Sequence, residues 1–278
     1  ECIGDSIKTW LNGELRVEAK DARVAAGFIG LQVHGIGKEK DREGTQVRWR
    51  HLRIKEIKEG KPSGETPPNT LTDEEIKDGW KLLWDGKSSD GWQSAKGSAF
   101  PDHGWQIKDG LLTILGADGK ESRGPGDIIT KEKFSSFILK ADFRITEGAN
   151  SGIKYFVNTE LNKGQGSAIG LEFQVLDDER HPDAKLGRDG NRTIGSLYDL
   201  ITADKSKNVN PPGECNSAMI VSNGKHVEHW LNGQKVVEYE RGSEEFRKLV
   251  AISKYKVWPN FGELPEGPIL LQDHGNTV

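Results

Sequence analysis

The stretch 137–145 reads FILKADFRI, with Phe137, Leu139, Ala141 and Phe143 on one parity and Ile138, Lys140 and Asp142 on the other. Successive side chains of an extended chain point to opposite sides of a sheet, so this alternation marks a strand with one buried face. The pattern recurs in 170–176 (GLEFQVL) and 226–231 (HVEHWL). Asp109-Gly110 and Asn232-Gly233 stand between such segments, where hairpin turns need residues that tolerate left-handed backbone. Strands are expected at 81–84, 105–108, 111–115, 127–130, 136–145, 152–158, 169–176, 217–222, 226–231, 234–240 and 269–272. Gly supplies 34 of the 278 residues and the hydrophobic fraction is 34%, which suits short strands and turns better than a helical bundle. Many strands with few helices imply two packed antiparallel sheets.

Composition removes several functions. A net charge of −4 and the lack of a long basic run argue against nucleic acid as a partner. The one basic candidate, VRWRHLRI at 47–54, alternates as a strand does. No apolar stretch is long enough to span a bilayer. Cys2 and Cys215 are too few for a disulfide scaffold. Eight Trp offer indole faces for the CH faces of a sugar, although Trp also fills β cores.

The chain repeats itself. Residues 1–13 (ECIGDSIKTWLNG) align without gaps on 221–233 (VSNGKHVEHWLNG), and 27–35 (GFIGLQVHG) resembles 267–275 (GPILLQDHG). Two matches in the same order point to two copies of one domain. Residues 1–57 then read as the C-terminal part of a first sandwich. They are too short for a good core of their own, so they are expected to pack against another part of the chain or a second copy. Residues 58–71 (KEGKPSGETPPNTL) have linker composition. Residues 72–278 form the second, nearly complete copy, one strand short at its end, which 47–54 could supply. Thr72 with Glu75 is a capping box for a short helix closed by Gly79.

GWKLLWDGKSSDGW (79–92), NSGIKYFV (150–157), GLEFQVLDDERHPDA (170–184), GSLYDL (195–200), HWLNG (229–233) and GPILLQDHG (267–275) together resemble the 3-keto-disaccharide hydrolase family over residues 79–278. The resemblance implies an all-β fold, a concanavalin-like jelly-roll β-sandwich of two antiparallel sheets with few short helices. It also implies action on glycosides oxidised at C3, and export to the periplasm or out of the cell. One departure is Cys215-Asn216, where the family commonly has Trp-Asn.

Strand parity sorts the candidates. Leu171, Phe173 and Val175 face the core, so Glu172 and Gln174 share the other face. Lys154 opposes Ile153 and Tyr155. Gln272 and His274 share a face, opposed by Asp273, and Gln32 and His34 repeat that pair. His229 shares a face with Val227 and Leu231, and the first copy has Thr9 there. Asp177, Asp178, Glu179 and His181 cluster after a strand, at a rim where catalytic groups tend to sit. This patch could hold a divalent cation or be no more than a hydrophilic turn, and its spacing specifies no particular metal.

A ketone at C3 acidifies the C2 proton, and the group at C1 is then placed for elimination, with water adding afterwards. Such a site needs a base at C2, a cation or donor at the C3 oxygen and an acid at the glycosidic oxygen. His274 or Glu172 is the expected base, and Lys154 or a bound metal the enolate partner. Asp177 and His181 are expected as acid or ligand. Gln174, Tyr198, Asn216, His229 and Gln272 are expected to bind the hydroxyls of an oxidised disaccharide or oligosaccharide. The alternatives are a non-catalytic lectin-like module and an ordinary glycosidase, which needs two carboxylates across the bond.

Overall fold

The computed structural model describes residues 2–3, 6–11, 14–20, 67–116, 126–164 and 166–278. It divides into two compact units, Glu1–Gly64 and Glu65–Val278. The second copy of each repeated block lies in the larger unit. The strand expected at 47–54, the GFIGLQVHG block with Gln32 and His34, and most of the linker lie outside the described residues.

In the first unit, strands β1 (Cys2–Ile3), β2 (Ser6–Leu11) and β3 (Glu14–Lys20) form one antiparallel sheet. β2 pairs with β3 through a register shift between Thr9 and Trp10.

The larger unit opens with α1 (Asp73–Lys77). Thr72 accepts from the Glu75 amide while the Glu75 side chain returns to the Thr72 amide, a complete capping box. Gly79, at φ 86°, ends it. The strands are β4 (Trp92–Ser94), β5 (Trp105–Lys108), β6 (Leu111–Ile114), β7 (Ile128–Thr130), β8 (Phe137–Arg144), β9 (Asn150–Asn158), β10 (Ile169–Leu176), β11 (Cys215–Asn223), β12 (His226–Leu231), β13 (Gln234–Glu240) and β14 (Leu270–Leu271). An amphipathic helix, α2 (Glu244–Ala251), is capped by Ser243 and buries Phe246. One sheet runs β10-β9-β14-β7-β4, a second runs β13-β12-β11-β8, and β5 and β6 make a small hairpin. Every described strand pairing is antiparallel.

This is the expected all-β sandwich with two short helices. Ile153, Tyr155, Leu171 and Phe173 from the first sheet meet Ala218, Ile220, Val227 and Leu231 from the second in one core. β14 lies between β9 and β7, and β11 between β8 and β12, the non-sequential neighbours of a jelly roll. Asp109-Gly110 and Asn232-Gly233 each carry two positive φ angles, as type I′ hairpins require.

Segment 81–84 is not a strand. It has no ladder partner and is tied instead by Trp92 Nε1 donating to Leu83 O (2.7 Å). Trp92–Ser94, unanticipated from the sequence, takes the edge position beside β7. β12 and β13 reproduce β2 and β3 residue for residue at a spacing of 220, including a register shift between His229 and Trp230. No helix among the described residues is long and apolar enough to cross a membrane.

Candidate active site

The outward face of the β10-β9-β14 sheet carries polar side chains in register. Glu172 lies opposite Lys154 and Gln174 opposite Gly152, because β9 and β10 pair without interruption from Leu171 to Leu176. β14 extends these rows from the other side of β9, with Leu270 opposite Lys154 and Gln272 N donating to Gly152 O (3.0 Å). Glu172 has room because Gly152 lacks a side chain, and a Cβ there would stand 2.4 Å from Glu172 Oε1.

These groups line one groove of about 240 Å³, together with Asn150, Tyr198, Lys254, Trp258 and His274. That is small beside the about 300–1,000 Å³ of pockets that enclose larger ligands, and it suits one sugar ring. The floor is buried yet polar. Lys154 keeps 5% of its surface, Glu172 4% and Gln174 1%, and buried polar groups need partners. Lys154 Nζ lies 3.6 Å from Glu172 Oε2, donates to Ala168 O (3.3 Å) and also donates to Ser167 Oγ, which in turn donates to Asp127. The Gln174 amide fits with its nitrogen donating to Glu172 Oε1 (3.0 Å) and Ser151 O (3.1 Å).

One wall comes from segment 195–201, which covers the free edge of β10. Gly195 N donates to Gln174 O (2.8 Å) and Tyr198 N to Glu172 O (3.1 Å), which brings the Tyr198 ring beside the floor. Tyr198 Oη donates to Asp183 Oδ2 (2.7 Å), and Arg192 bridges Asp183 (2.7 Å) and Asp199 (2.8 Å). Burial, with the Glu172 and Asp183 charges, pushes the Tyr198 phenol well up, so it stays a donor. The other wall is the 3-10 turn Lys254–Val257, capped by Ser253, with Trp258 following.

His274 lies at the groove margin with its Nδ1 buried and unpartnered. The His181 ring meets it edge to face at 5.7 Å. His181 Nδ1 accepts from Asp183 N (3.2 Å), which fixes the neutral tautomer with the proton on Nε2. Burial first, and the neighbouring His274 second, lower the His181 pKa against the pull of Asp183 and Asp177.

The structure thus brings together Glu172, Lys154, Gln174, Tyr198, Gln272 and His274, with His181 behind His274. Three expected site residues stand elsewhere. Asp177 is a loop staple. Its carboxylate accepts from the amides of Gly148 (2.8 Å), Glu179 (3.1 Å) and Arg180 (3.3 Å). Burial opposes the charge, but those amides hold the pKa below the usual range, so Asp177 is a poor proton donor. Asn216 ties loops on the other sheet, accepting from Asn210 N (2.9 Å) and Asn232 Nδ2 (2.8 Å). His229 sits fully buried between the sheets, its Nε2 2.7 Å from Tyr155 Oη and its Nδ1 donating to Gly195 O (3.0 Å). Its parity placed it on the apolar face beside Val227 and Leu231, and the core claims it.

The acidic patch at 177–181 does not converge as a ligand set. Asp178 turns to Ile194 N (2.7 Å) and Lys207 Nζ (2.9 Å), while Asp177 holds its loop amides. A separate trio of His226, Glu228 and Glu238 brings ligand atoms within 4.8 Å of one another. It lies on the outward face of β12 and β13, where Lys235 already pairs with both carboxylates.

The sequence profile of the family described as the 3-keto-alpha-glucoside-1,2-lyase-like domain matches residues 79–278. Over 221 residues the chain is 36% identical to a 3-keto-disaccharide hydrolase of Bacteroides thetaiotaomicron, covering 72% of this chain and 76% of that relative. The chain belongs to this family. A solved structure from Parabacteroides distasonis, described as a glycosyl hydrolase, matches at 33% identity with a TM-score of 0.64, covering 75% of this chain and 94% of its own. As a member of the 3-keto-alpha-glucoside-1,2-lyase-like family the chain is an enzyme acting on glycosidic bonds. Its groove also contains residues that the sequence reading passed over. Asn150 has the parity of Gly152 and Lys154, a signal that was available. Lys254 and Trp258 come from irregular chain, where no periodicity points inward.

Proposed function

We propose that the groove binds a glycoside oxidised at C3 and cleaves it by elimination across C1–C2 followed by addition of water. His274 takes the C2 proton, electrons collect on the C3 oxygen as an enolate, and the C1–O bond breaks as the enolate collapses, the departing oxygen taking up the proton that His274 removed. Water then adds to C1 and a proton returns to C2, so the net change is hydrolysis. The observation that carries this reading is the unpartnered, buried Nδ1 of His274 at the edge of a polar groove. Glu172 is the less favoured base, since Lys154 and Gln174 already hold both its oxygens. Glu172, Gln174 and Gln272 instead hold sugar hydroxyls. His181 packs edge to face against His274 and holds its ring in place, while burial lowers the pKa of His181 itself.

The lyase wording of the family description supports elimination over displacement by two carboxylates. We further infer that residues 1–20 derive from a second copy of the same domain, on the matched hairpin registers, and that the enzyme works in the periplasm or outside the cell, on the family resemblance. The test compares a 3-keto-glucoside with its unoxidised parent. Release of the aglycone from the ketone alone, with deuterium from D2O entering C2 and a His274→Gln loss of ~10²–10⁴ in rate, is the expected result. Equal cleavage of both glycosides would discard the reading.

A further inference from the structure

The groove contains two lysines, and they differ in their commitments. Lys154 Nζ is used up by the protein, shared among Glu172, Ser167 and Ala168 O. Lys254 Nζ has no hydrogen bond or ion pair among the described residues. Its contacts are the Tyr198 ring, 4.1 Å from ammonium to centroid, and the Tyr255 ring at 5.2 Å. The residue as a whole is exposed to solvent, whereas its ammonium end is enclosed over the Tyr198 ring beside the groove, and the local enclosure is what bears on its charge. Its backbone, by contrast, is pinned. Lys254 N donates to Asp199 Oδ2 (2.8 Å), Asp199 Oδ1 accepts from Arg192 Nε (2.8 Å), and Ser253 Oγ caps the turn through Tyr255 N (3.0 Å). A cation on an anchored backbone, resting on aromatic faces with its donors unspent, can complete its coordination with a ligand oxygen.

We propose that Lys254, rather than Lys154, is the groove's catalytic cation, donating to the C3 oxygen of the substrate as enolate charge develops there, while Lys154 fixes Glu172 in the floor. This rests on the elimination reading above. In the step itself the C2 proton passes to His274, the C2–H electrons form the C2–C3 double bond, and the carbonyl π electrons move to the oxygen, where the Lys254 N–H bonds strengthen. No bond to the lysine forms. Burial of the ammonium lowers the Lys254 pKa, with Glu172 and Asp199 opposing and Lys154 and Arg192 assisting. That brings the donor closer in acidity to the oxygen it serves.

The experiment uses two substrates: a 3-keto-glucoside, and a 3-keto-1,5-anhydrohexitol, which has the ketone but no leaving group at C1. Exchange of the C2 proton of the second compound in D2O, followed by NMR, needs only the base and the enolate partner. Lys254→Met is expected to slow that exchange ~10²–10³-fold, with the compound's Kd changed by less than about threefold. Lys254→Arg should recover most of the rate. Lys154→Met should instead weaken binding, through Glu172. Lys254→Met exchanging at the wild-type rate overturns the assignment, as does a borohydride-trapped adduct on Lys254. Wild-type exchange without glycoside cleavage would discard the elimination reading alone, leaving Lys254 to be judged on its own ratio. Absence of wild-type exchange discards both.

Discussion

At the scale of single residues, the separation between core and groove is a difference of one position along a strand. His229 and Glu228 are neighbours on β12, yet one ring is sealed between the sheets and the other side chain reaches the surface. Sealing costs the imidazole its hydration, and burial pushes its pKa from 6.5 down to about 4. The unfolded chain therefore takes up a proton near pH 6.5 that the folded protein refuses until about pH 4. Stability is full above pH 6.5 and declines as the pH falls through that window. At about 1.4 kcal/mol per pKa unit the whole effect is about 3 kcal/mol. His181 is lowered in the same direction, so the informative quantity is the difference between proteins. Denaturant melts of wild type and His229→Gln at pH 7, 6, 5 and 4 should diverge in slope, the variant losing less stability on acidification. Parallel curves would show that His229 takes up its proton in the folded protein as it does in the unfolded chain, so that burial does not depress it.

At the scale of elements, parity made the floor legible. Alternation alone put Lys154, Glu172 and Gln174 on the face opposite Leu171 and Phe173, and pairing of β9 with β10 then sets them side by side. The rule also has a built-in interruption. Phe156 takes φ 49°, a left-handed value uncommon for a bulky residue, at the register shift opposite Ile169–Leu171. Tyr155 and Phe156 can then both enter the core. Of the walls, Tyr198 was an expected ligand of the sugar, whereas Lys254 and Trp258 were not legible, because they are placed by irregular chain, Lys254 through its amide on Asp199 and Trp258 through its amide on Tyr255 O, which leaves no periodic trace. Asp177 and Asn216 misled for a related reason, since polar residues at strand ends serve loops as readily as substrates.

A glycine in the centre of a sheet is weakening unless something needs the space. Gly152 gives that space to Glu172. Gly152→Ala should force the carboxylate aside, since the added carbon would lie 2.4 Å from Oε1. The expected cost is about 1–3 kcal/mol of stability and ~10²-fold in kcat/KM on a 3-keto-glucoside. Near-UV circular dichroism at the assay temperature would separate the two effects, and full activity in a folded variant would mean that Glu172 has no set position to lose.

At the scale of the whole molecule, the repeat raises the question of what residues 1–64 add. β1–β3 mirror the end of β11 with β12 and β13, down to the register shift beside Trp10 and Trp230. Among the described residues of the first unit, none corresponds to β9 or β10, the two strands that carry Lys154, Glu172 and Gln174. The larger unit, in contrast, holds every residue lining the groove, a core drawn from both of its sheets and the whole family match. A compact unit with its own core is expected to fold by itself. Glu65–Val278 expressed alone should melt cooperatively and turn over a 3-keto-glucoside with kcat/KM within about threefold of the full chain, since no interaction made at the reacting centre is removed. A fragment that folds but loses ~10-fold or more in kcat alone would mean that the first unit completes the transition-state contacts, and the groove would then have to be redrawn to include it.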